Sequence, residues 1–313
     1  MSPGSAATPL QQADRFTDDT ETHVHRERPY AEEINGRARP VMVHEFSPRS
    51  PVPGATTLAL VPGGSFASAT CFYALAPRLL AARPGARFLF VDTPGTGGSG
   101  RDVADLDQAA HAGLMFSALA AAADDAPFAL GGHSQGGGYA QVMARRQMSR
   151  PGDEPRIRAL LLLDPLPLGG SSVLHAMWKL ARSGPTAAGA TRRFFRNPHA
   201  TADDVALLKR VRSDFKVSPR ASLACLRGQG FPDATHPFTG PVLVLGAADS
   251  IPVDQRRLVA MAASPAYPRA EYQRIDGGPT GLAGHCDFLD KPSTAAACAR
   301  FLLDVDEECA SAA

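Results

Sequence analysis

The chain has 313 residues, 44% of them hydrophobic and 20% charged, a composition usual for one large α/β domain or two small ones. Its formal net charge of +1 gives no electrostatic case for binding nucleic acid or an anionic membrane. Five irregularly spaced cysteines predict neither a disulfide framework nor a Cys-x-x-Cys metal site. With no apparent signal peptide and no apolar run of membrane length, we expect a reduced, cytoplasmic protein.

Residues 1–39 are polar, charged and rich in Pro, Thr and Asp, and this composition predicts a flexible N-terminal arm. His23 and His25 lie in this arm, and we interpret them as solvated side chains rather than as metal ligands.

Beyond the arm, short apolar strands alternate with helices. Helices are predicted at residues 69–83, 105–123 and 293–304, with another beginning near Tyr139. Predicted strands cover residues 41–46 (an edge strand), 57–61, 87–92, 127–130, 157–163, 242–246 and 271–275. Continuous apolar strands that alternate with helices are typical of an α/β fold, in which a parallel sheet is covered on both faces.

The segment 168–238 contains no convincing strand and three helical runs, near residues 172–182, 202–213 and 219–227. We predict a helical cap inserted into a core of residues 40–167 and 239–313, because ligands of open α/β sheets bind at the carboxyl edge of the strands. Aromatic side chains of this segment could line a substrate pocket or pack as the core of the cap. The pocket candidates are Trp178, Phe194 and Phe195.

A Gly-x-Ser-x-Gly motif, Gly132 to Gly136, lies between the strand at residues 127–130 and the helix beginning near Tyr139. A strand that turns sharply into a helix forces the residue at its tip into a strained conformation, and glycines on both sides give the clearance that such a turn needs. The turn would expose the hydroxyl of Ser134 beside the N–H groups of a helix N-terminus. This arrangement predicts a nucleophile for acyl transfer.

A serine nucleophile needs a base, and the base needs an orienting carboxylate. His285 is the predicted base, because its glycine-rich loop between the last strand and the last helix can return to the sheet edge. His133 adjoins the serine, but its side chain is expected to point elsewhere. Asp249, after the strand at residues 242–246, is the preferred acid. Asp164, at the end of the preceding strand, is the alternative, although it could simply cap the turn at Pro165.

Stabilising the oxyanion of an acyl-transfer intermediate takes two N–H donors. The backbone of Gln135 is the first predicted donor. The second should come from the loop after the strand at residues 57–61, where Gly64 is preferred over Ser65. Ser65 and Phe66 are also predicted to contact substrate.

Taken together, these motifs resemble an α/β-hydrolase with a cap domain, over about residues 40 to 305. The resemblance rests on Val61-Pro62-Gly63-Gly64, Asp92-Thr93-Pro94-Gly95-Thr96-Gly97-Gly98-Ser99, Gly132-His133-Ser134-Gln135-Gly136-Gly137, Gly246-Ala247-Ala248-Asp249 and Gly284-His285. It implies the α/β-hydrolase fold and a Ser–His–Asp hydrolase that needs no cofactor.

The leading functional hypothesis is a serine hydrolase acting on a carboxylic ester or thioester of a small apolar molecule. The same triad could instead serve acyl transfer, lyase or cyclisation chemistry, and a third hypothesis is a catalytically silent binding protein. Gly95-Thr96-Gly97-Gly98-Ser99-Gly100 also fits the G-x-G-x-x-G pattern of dinucleotide sites, but no acidic strand end follows about 20 residues later, so a tight turn is the favoured interpretation. The expected partner is a small-molecule substrate.

Overall fold

The computed structural model describes residues 8–64, 66–148, 156–166, 206, 219–250, 253–277 and 283–312. Eight strands form one sheet in the order β1-β2-β4-β3-β5-β6-β7-β8. The strands are β1 (His23–Ile34), β2 (Arg37–Pro48), β3 (Thr57–Val61), β4 (Phe88–Val91), β5 (Phe128–His133), β6 (Ile157–Leu163), β7 (Val242–Ala247) and β8 (Ala270–Ile275).

Strands β3 to β8 run parallel, whereas β1 and β2 form an antiparallel hairpin that joins the sheet through the antiparallel pairing of β2 with β4. The predicted α/β class is therefore confirmed. Because β5 lies between β3 and β6, the carboxyl ends of these three strands meet at the centre of one sheet edge.

Eight helices are described: α1 (Pro9–Asp14), α2 (Ser68–Phe72), α3 (Leu75–Ala82), α4 (Gln108–Ala122), α5 (Gln135–Met148), α6 (Pro219–Leu226), α7 (Gln255–Ala262) and α8 (Pro292–Ala312). They form two cores on opposite faces of the sheet. In β3, Ala59 and Val61 point into the core shared with α4 to α7, while Leu58 and Leu60 point into the core shared with α2, α3 and α8.

The prediction of a flexible arm up to residue 39 is wrong from Pro9 onward, since this segment contains α1, β1 and the start of β2. His23 is fully buried, and its ring contacts the carbonyl oxygen of Ala86 at 2.8 Å, so it is not a solvated tail residue. The strand predicted at residues 41–46 as an edge is an inner strand, because β1 covers it.

A buried carboxylate joins this hairpin to the parallel sheet. Glu45 of β2 is 1% exposed. It accepts hydrogen bonds from Arg28 of β1 at 2.5 Å, from Ser47 at 2.6 Å and from Arg87, just before β4, at 2.7 Å. Burial alone would raise the pKa of Glu45, but the Ser47 and Arg28 hydrogen bonds and the Arg87 charge outweigh it, and the pKa lies below its ordinary value.

Glu45→Gln should lower the free energy of unfolding by about 1–2 kcal/mol at neutral pH, a modest cost because Arg28 is partly exposed. A carboxylate with a depressed pKa stabilises the fold above its unfolded pKa and loses that contribution as pH falls through the folded pKa. The stability gap between the wild type and Glu45→Gln should therefore shrink as pH falls below 4.5. Urea titrations between pH 3 and pH 7 test this, and a gap that widens on acidification would contradict it.

Most of the predicted cap, residues 168–238, lies outside the described residues. Within it, α6 coincides with the helical run predicted at residues 219–227. In the described ranges, none of the helices combines the length and the hydrophobicity that crossing a bilayer would require.

Candidate active site

Ser134 lies between the end of β5 and the start of α5, at the carboxyl edge of the sheet. Its φ of +53° is in the left-handed region, which a residue with a side chain enters at a cost in energy. The surroundings impose this conformation: its N–H donates to Leu163 at 3.1 Å, and its carbonyl accepts from Leu166 at 2.9 Å. Ser134 is half-buried at this edge.

The two glycines of the motif allow this turn to close. A Cβ atom on Gly132 would overlap the backbone of Gly136, and one on Gly136 would overlap the carbonyl oxygens of Val61 and Pro62. Gly-x-Ser-x-Gly is thus required because strand β5, helix α5 and the loop after β3 approach one another at backbone distance.

Gly136→Ala should destabilise the fold by about 3 kcal/mol, because backbone atoms of the neighbouring strand cannot move aside for the new methyl group. Gly138→Ala, two residues further along the same helix, is the matched control. There a Cβ would meet Phe231 and Cys225 at 3.4–3.5 Å, an ordinary contact distance, and alanine favours the helix. Thermal unfolding of both variants tests this, and equal melting temperatures would contradict it.

His285 lies at the same sheet edge, 3% exposed. Its Nδ1 is 2.6 Å from Oδ2 of Asp164, the residue that follows β6, and Asp164 is completely buried. Asp164 Oδ1 in turn accepts from the N–H of Ala247 at 3.2 Å and from Gln255 at 3.4 Å. A buried, fully bonded carboxylate therefore orients the His285 imidazole.

The preference for Asp249 over Asp164 as the partner of His285 is not supported by this geometry. Asp249 Oδ2 accepts from the N–H of Ala283 at 3.0 Å, and the N–H of Asp249 donates to the carbonyl of Ala283 at 2.9 Å. Asp249 thus holds the loop that leads to His285. The reason lies in the sheet order, because β6 pairs directly with β5, while β7 is one strand further away.

The loop after β3 lies beside the start of α5, as the oxyanion hypothesis requires. A Cβ on Gly63 would come within 3.4 Å of the Ser134 Cβ, and one on Gly64 would overlap the Gln135 side chain. Gln135 begins α5, and its side chain donates to Tyr139 at 3.2 Å and to Ser222 of α6 at 3.1 Å. Phe66 is half-buried in this loop and packs against the core. The other predicted contacts lie outside the described residues: Ser65, Trp178, Phe194 and Phe195.

The sequence predicts that His133 points away from the site, but its ring lies between the turn that carries Ser134 and the loop that carries His285. Its Nε2 is 2.8 Å from the carbonyl oxygen of His285, and the two rings are 4.7 Å apart. Its position directly before the serine was the only sequence signal for this role.

The glycine-rich turn after β4 uses its N–H groups within the protein. Asp92 accepts from the N–H of Ser68 at 2.7 Å and from that of Gly98 at 2.8 Å, and a Cβ on Gly97 would overlap its carboxylate. The G-x-G-x-x-G pattern therefore serves a tight turn around a buried carboxylate. In the described part of the chain, no group of three or more His, Cys, Asp or Glu side chains is placed to hold a metal ion.

Residues 58–299 match the model of a family described as the alpha/beta hydrolase family. The chain belongs to this family. No curated protein matches this alpha/beta hydrolase sequence significantly.

Solved structures share the alpha/beta hydrolase fold at low identity. A lipase candidate from Acinetobacter baumannii AYE is 16% identical, with a TM-score of 0.68 over 98% of this chain and 100% of its own. An esterase from Thermogutta terrifontis is 18% identical, with a TM-score of 0.62 over 90% and 99%. A bromoperoxidase from Bacillus anthracis is 17% identical, with a TM-score of 0.65 over 88% and 99%.

Proposed function

We propose that this alpha/beta hydrolase cleaves a carboxylic ester or thioester of a small molecule with an apolar acyl group. Ser134 is the nucleophile, His285 the base and Asp164 the acid. The observation that carries the proposal is the 2.6 Å contact of a buried Asp164 carboxylate with His285 Nδ1, at the sheet edge that also presents the strained Ser134.

The Asp164 contact determines which nitrogen of His285 acts as the base. A carboxylate can only accept, so it fixes the proton of His285 on Nδ1 and leaves Nε2 unprotonated. Nε2 then takes the proton of the Ser134 hydroxyl as Ser134 Oγ attacks the substrate carbonyl. The resulting imidazolium is stabilised by the Asp164 carboxylate and returns its proton to the departing alcohol or thiol. Water then cleaves the acyl-enzyme by the same proton path.

The backbone around Ser134 is suited to the negative charge of the tetrahedral intermediate. The N–H of Gln135 is at the N-terminus of the 14-residue helix α5, where unpaired N–H groups and the helix dipole favour an anion. Gly64 lies against Gln135 and supplies the second N–H in this proposal. Phe66 offers an apolar surface near this loop for an acyl chain.

The function is tested with wild-type protein and a panel of 4-nitrophenyl esters and acyl thioesters of two to twelve carbons. The expected result is release of the carboxylic acid, preceded by a burst of alcohol or thiol equal to the enzyme concentration. Product analysis with and without added alcohol or amine separates hydrolysis from acyl transfer. Acyl transfer to the added acceptor in place of acid release, or no turnover of any substrate, would contradict the proposal.

A further inference from the structure

We propose that His133 is a positioning residue that holds the backbone of His285 and so places the catalytic base; this inference rests on the proposed function. His133 is the residue between Gly132 and Ser134 in the turn, and it is 1% exposed. Through its contact with the His285 carbonyl, this buried imidazole joins the residue before the nucleophile to a loop 152 residues further along the chain.

The backbone of His285 is held by the His133 ring. Its carbonyl oxygen lies 2.8 Å from His133 Nε2. The backbone N–H groups of the turn that follows bond to other carbonyls: that of Phe288 donates to the carbonyl of Gly284, and that of Leu289 donates to the carbonyl of Cys286. In the described ranges, His133 is therefore the donor that satisfies the His285 carbonyl, and a buried carbonyl without a donor is unfavourable.

The contacts of the His133 ring determine which of its nitrogens carries the proton. Only a protonated Nε2 can donate to a carbonyl, so in the neutral ring Nδ1 is the unprotonated nitrogen. Nδ1 lies 3.5 Å from Sγ of Cys71, whose pKa burial raises to about 12, so it remains a thiol that can donate a weak hydrogen bond. The contacts of both ring nitrogens thus agree on one tautomer.

The His133 ring is uncharged beside the catalytic base. Burial holds the pKa of His133 well below its ordinary value, and the neighbouring His285 lowers it further. His133 therefore stays neutral at neutral pH. A neutral ring 4.7 Å from His285 does not oppose the positive charge that His285 carries when it holds the serine proton.

The His133 ring also contacts the loop after β3 and Phe288. A Cβ on Gly63 would lie 3.1 Å from His133 Nδ1, so the loop after β3 packs against the same ring. The ring of Phe288 lies 5.9 Å away. His133 is thus packed between the loop after β3 and the loop that carries His285, and it sets the distance between base and nucleophile.

The test compares His133→Gln with His133→Asn. A glutamine amide reaches about as far as Nε2 and can donate to the His285 carbonyl, whereas an asparagine amide reaches only about as far as Nδ1. We expect His133→Asn to lower kcat about 100-fold with little change in KM, because misplacement of a reacting group by about 1 Å has an effect of this size. We expect the kcat of His133→Gln to be at least ten-fold higher than that of His133→Asn.

A second measurement does not depend on turnover. The proton shared by His285 Nδ1 and Asp164 should give a low-field NMR signal, assigned by its loss in His285→Gln. It should remain sharp in wild type and His133→Gln and broaden through solvent exchange in His133→Asn. Equal kcat values for the two variants, or a signal equally sharp in both, would overturn the positioning role. Absence of all turnover in the wild type would instead contradict the proposed function and leave the NMR comparison to decide.

Discussion

Replacing Ser134 by alanine is expected to lower kcat by about four orders of magnitude or more, down to the rate of the uncatalysed reaction plus the contribution of binding and the oxyanion donors. The variant should fold normally. Alanine adopts the positive φ of +53° about as poorly as serine does, and the substitution removes only the hydroxyl of a half-buried residue. The measurement is the steady-state rate on the best ester or thioester of the panel, with thermal unfolding as the check on folding.

Ser250→Ala is the matched control for this loss. The Ser250 hydroxyl lies 3.5 Å from His285 Nδ1, so both serines adjoin the same imidazole. Asp164 contacts the same Nδ1 at the shorter distance of 2.6 Å. We therefore expect the kcat of Ser250→Ala to differ from that of the wild type by less than about five-fold. Substantial activity in Ser134→Ala, together with loss of activity in Ser250→Ala, would show that the nucleophile has been misassigned.

Asp164→Asn should lower kcat by about three to four orders of magnitude. In the wild type, Asp164 Oδ1 accepts from the Ala247 N–H at 3.2 Å, and Oδ2 contacts His285 Nδ1 at 2.6 Å. An asparagine that keeps its oxygen on Ala247 must turn its NH₂ group toward His285. Nδ1 would then accept, Nε2 would carry the proton, and His285 could no longer take the proton of Ser134.

Asp249→Asn is the comparison that decides between the two acids. The side chain of Asp249 accepts from the N–H of Ala283, and an asparagine oxygen can accept the same bond. We expect kcat to fall by less than about ten-fold. The measurement is the kcat of Asp164→Asn and of Asp249→Asn on the same substrate. If Asp249→Asn were the more damaging change, the acid inferred from the structure would be wrong and the preference drawn from the sequence would be right.

The Ser134 turn could be predicted from sequence because most of its requirements are local. Gly132 is required by steric clearance against Gly136 within the motif, and the apolar segments on either side identify the strand and the helix. The need for glycine at Gly136 is tertiary, because a Cβ there would overlap the carbonyl oxygens of Val61 and Pro62. The strands β3 to β7 were predictable for a similar reason, since continuous apolar runs are needed when both faces of a sheet are covered.

Which aspartate is the partner of His285 could not be predicted from local sequence. Asp164 and Asp249 each follow a buried strand, and the sequence around them differs little in kind. What separates them is that β6 pairs with β5 and β7 does not, so that the Ser134 N–H bonds to Leu163, next to Asp164. Strand order arises from long-range pairing, which has no local signature.

Strand β1 was missed because it lies at the edge of the sheet. Its side chains alternate between partly buried and exposed over much of its length, and many are charged, as edge strands tend to be. Such a segment has the composition of a flexible arm. Its order comes from pairing with β2 along twelve residues and from the Arg28–Glu45 ion pair, neither of which the composition of residues 1–39 reveals.

The role of Ser134 as the nucleophile, activated by His285 and Asp164, is tested by the site at which a fluorophosphonate modifies the protein, determined by peptide mass spectrometry. This reagent reacts with a serine whose hydroxyl is deprotonated by a neighbouring base. We expect one phosphonyl group per chain, located on Ser134, and a labelling rate that is greatly reduced in Asp164→Asn and nearly unchanged in Asp249→Asn. A label on any other residue, or an unmodified Ser134 in protein that turns over esters, would contradict it.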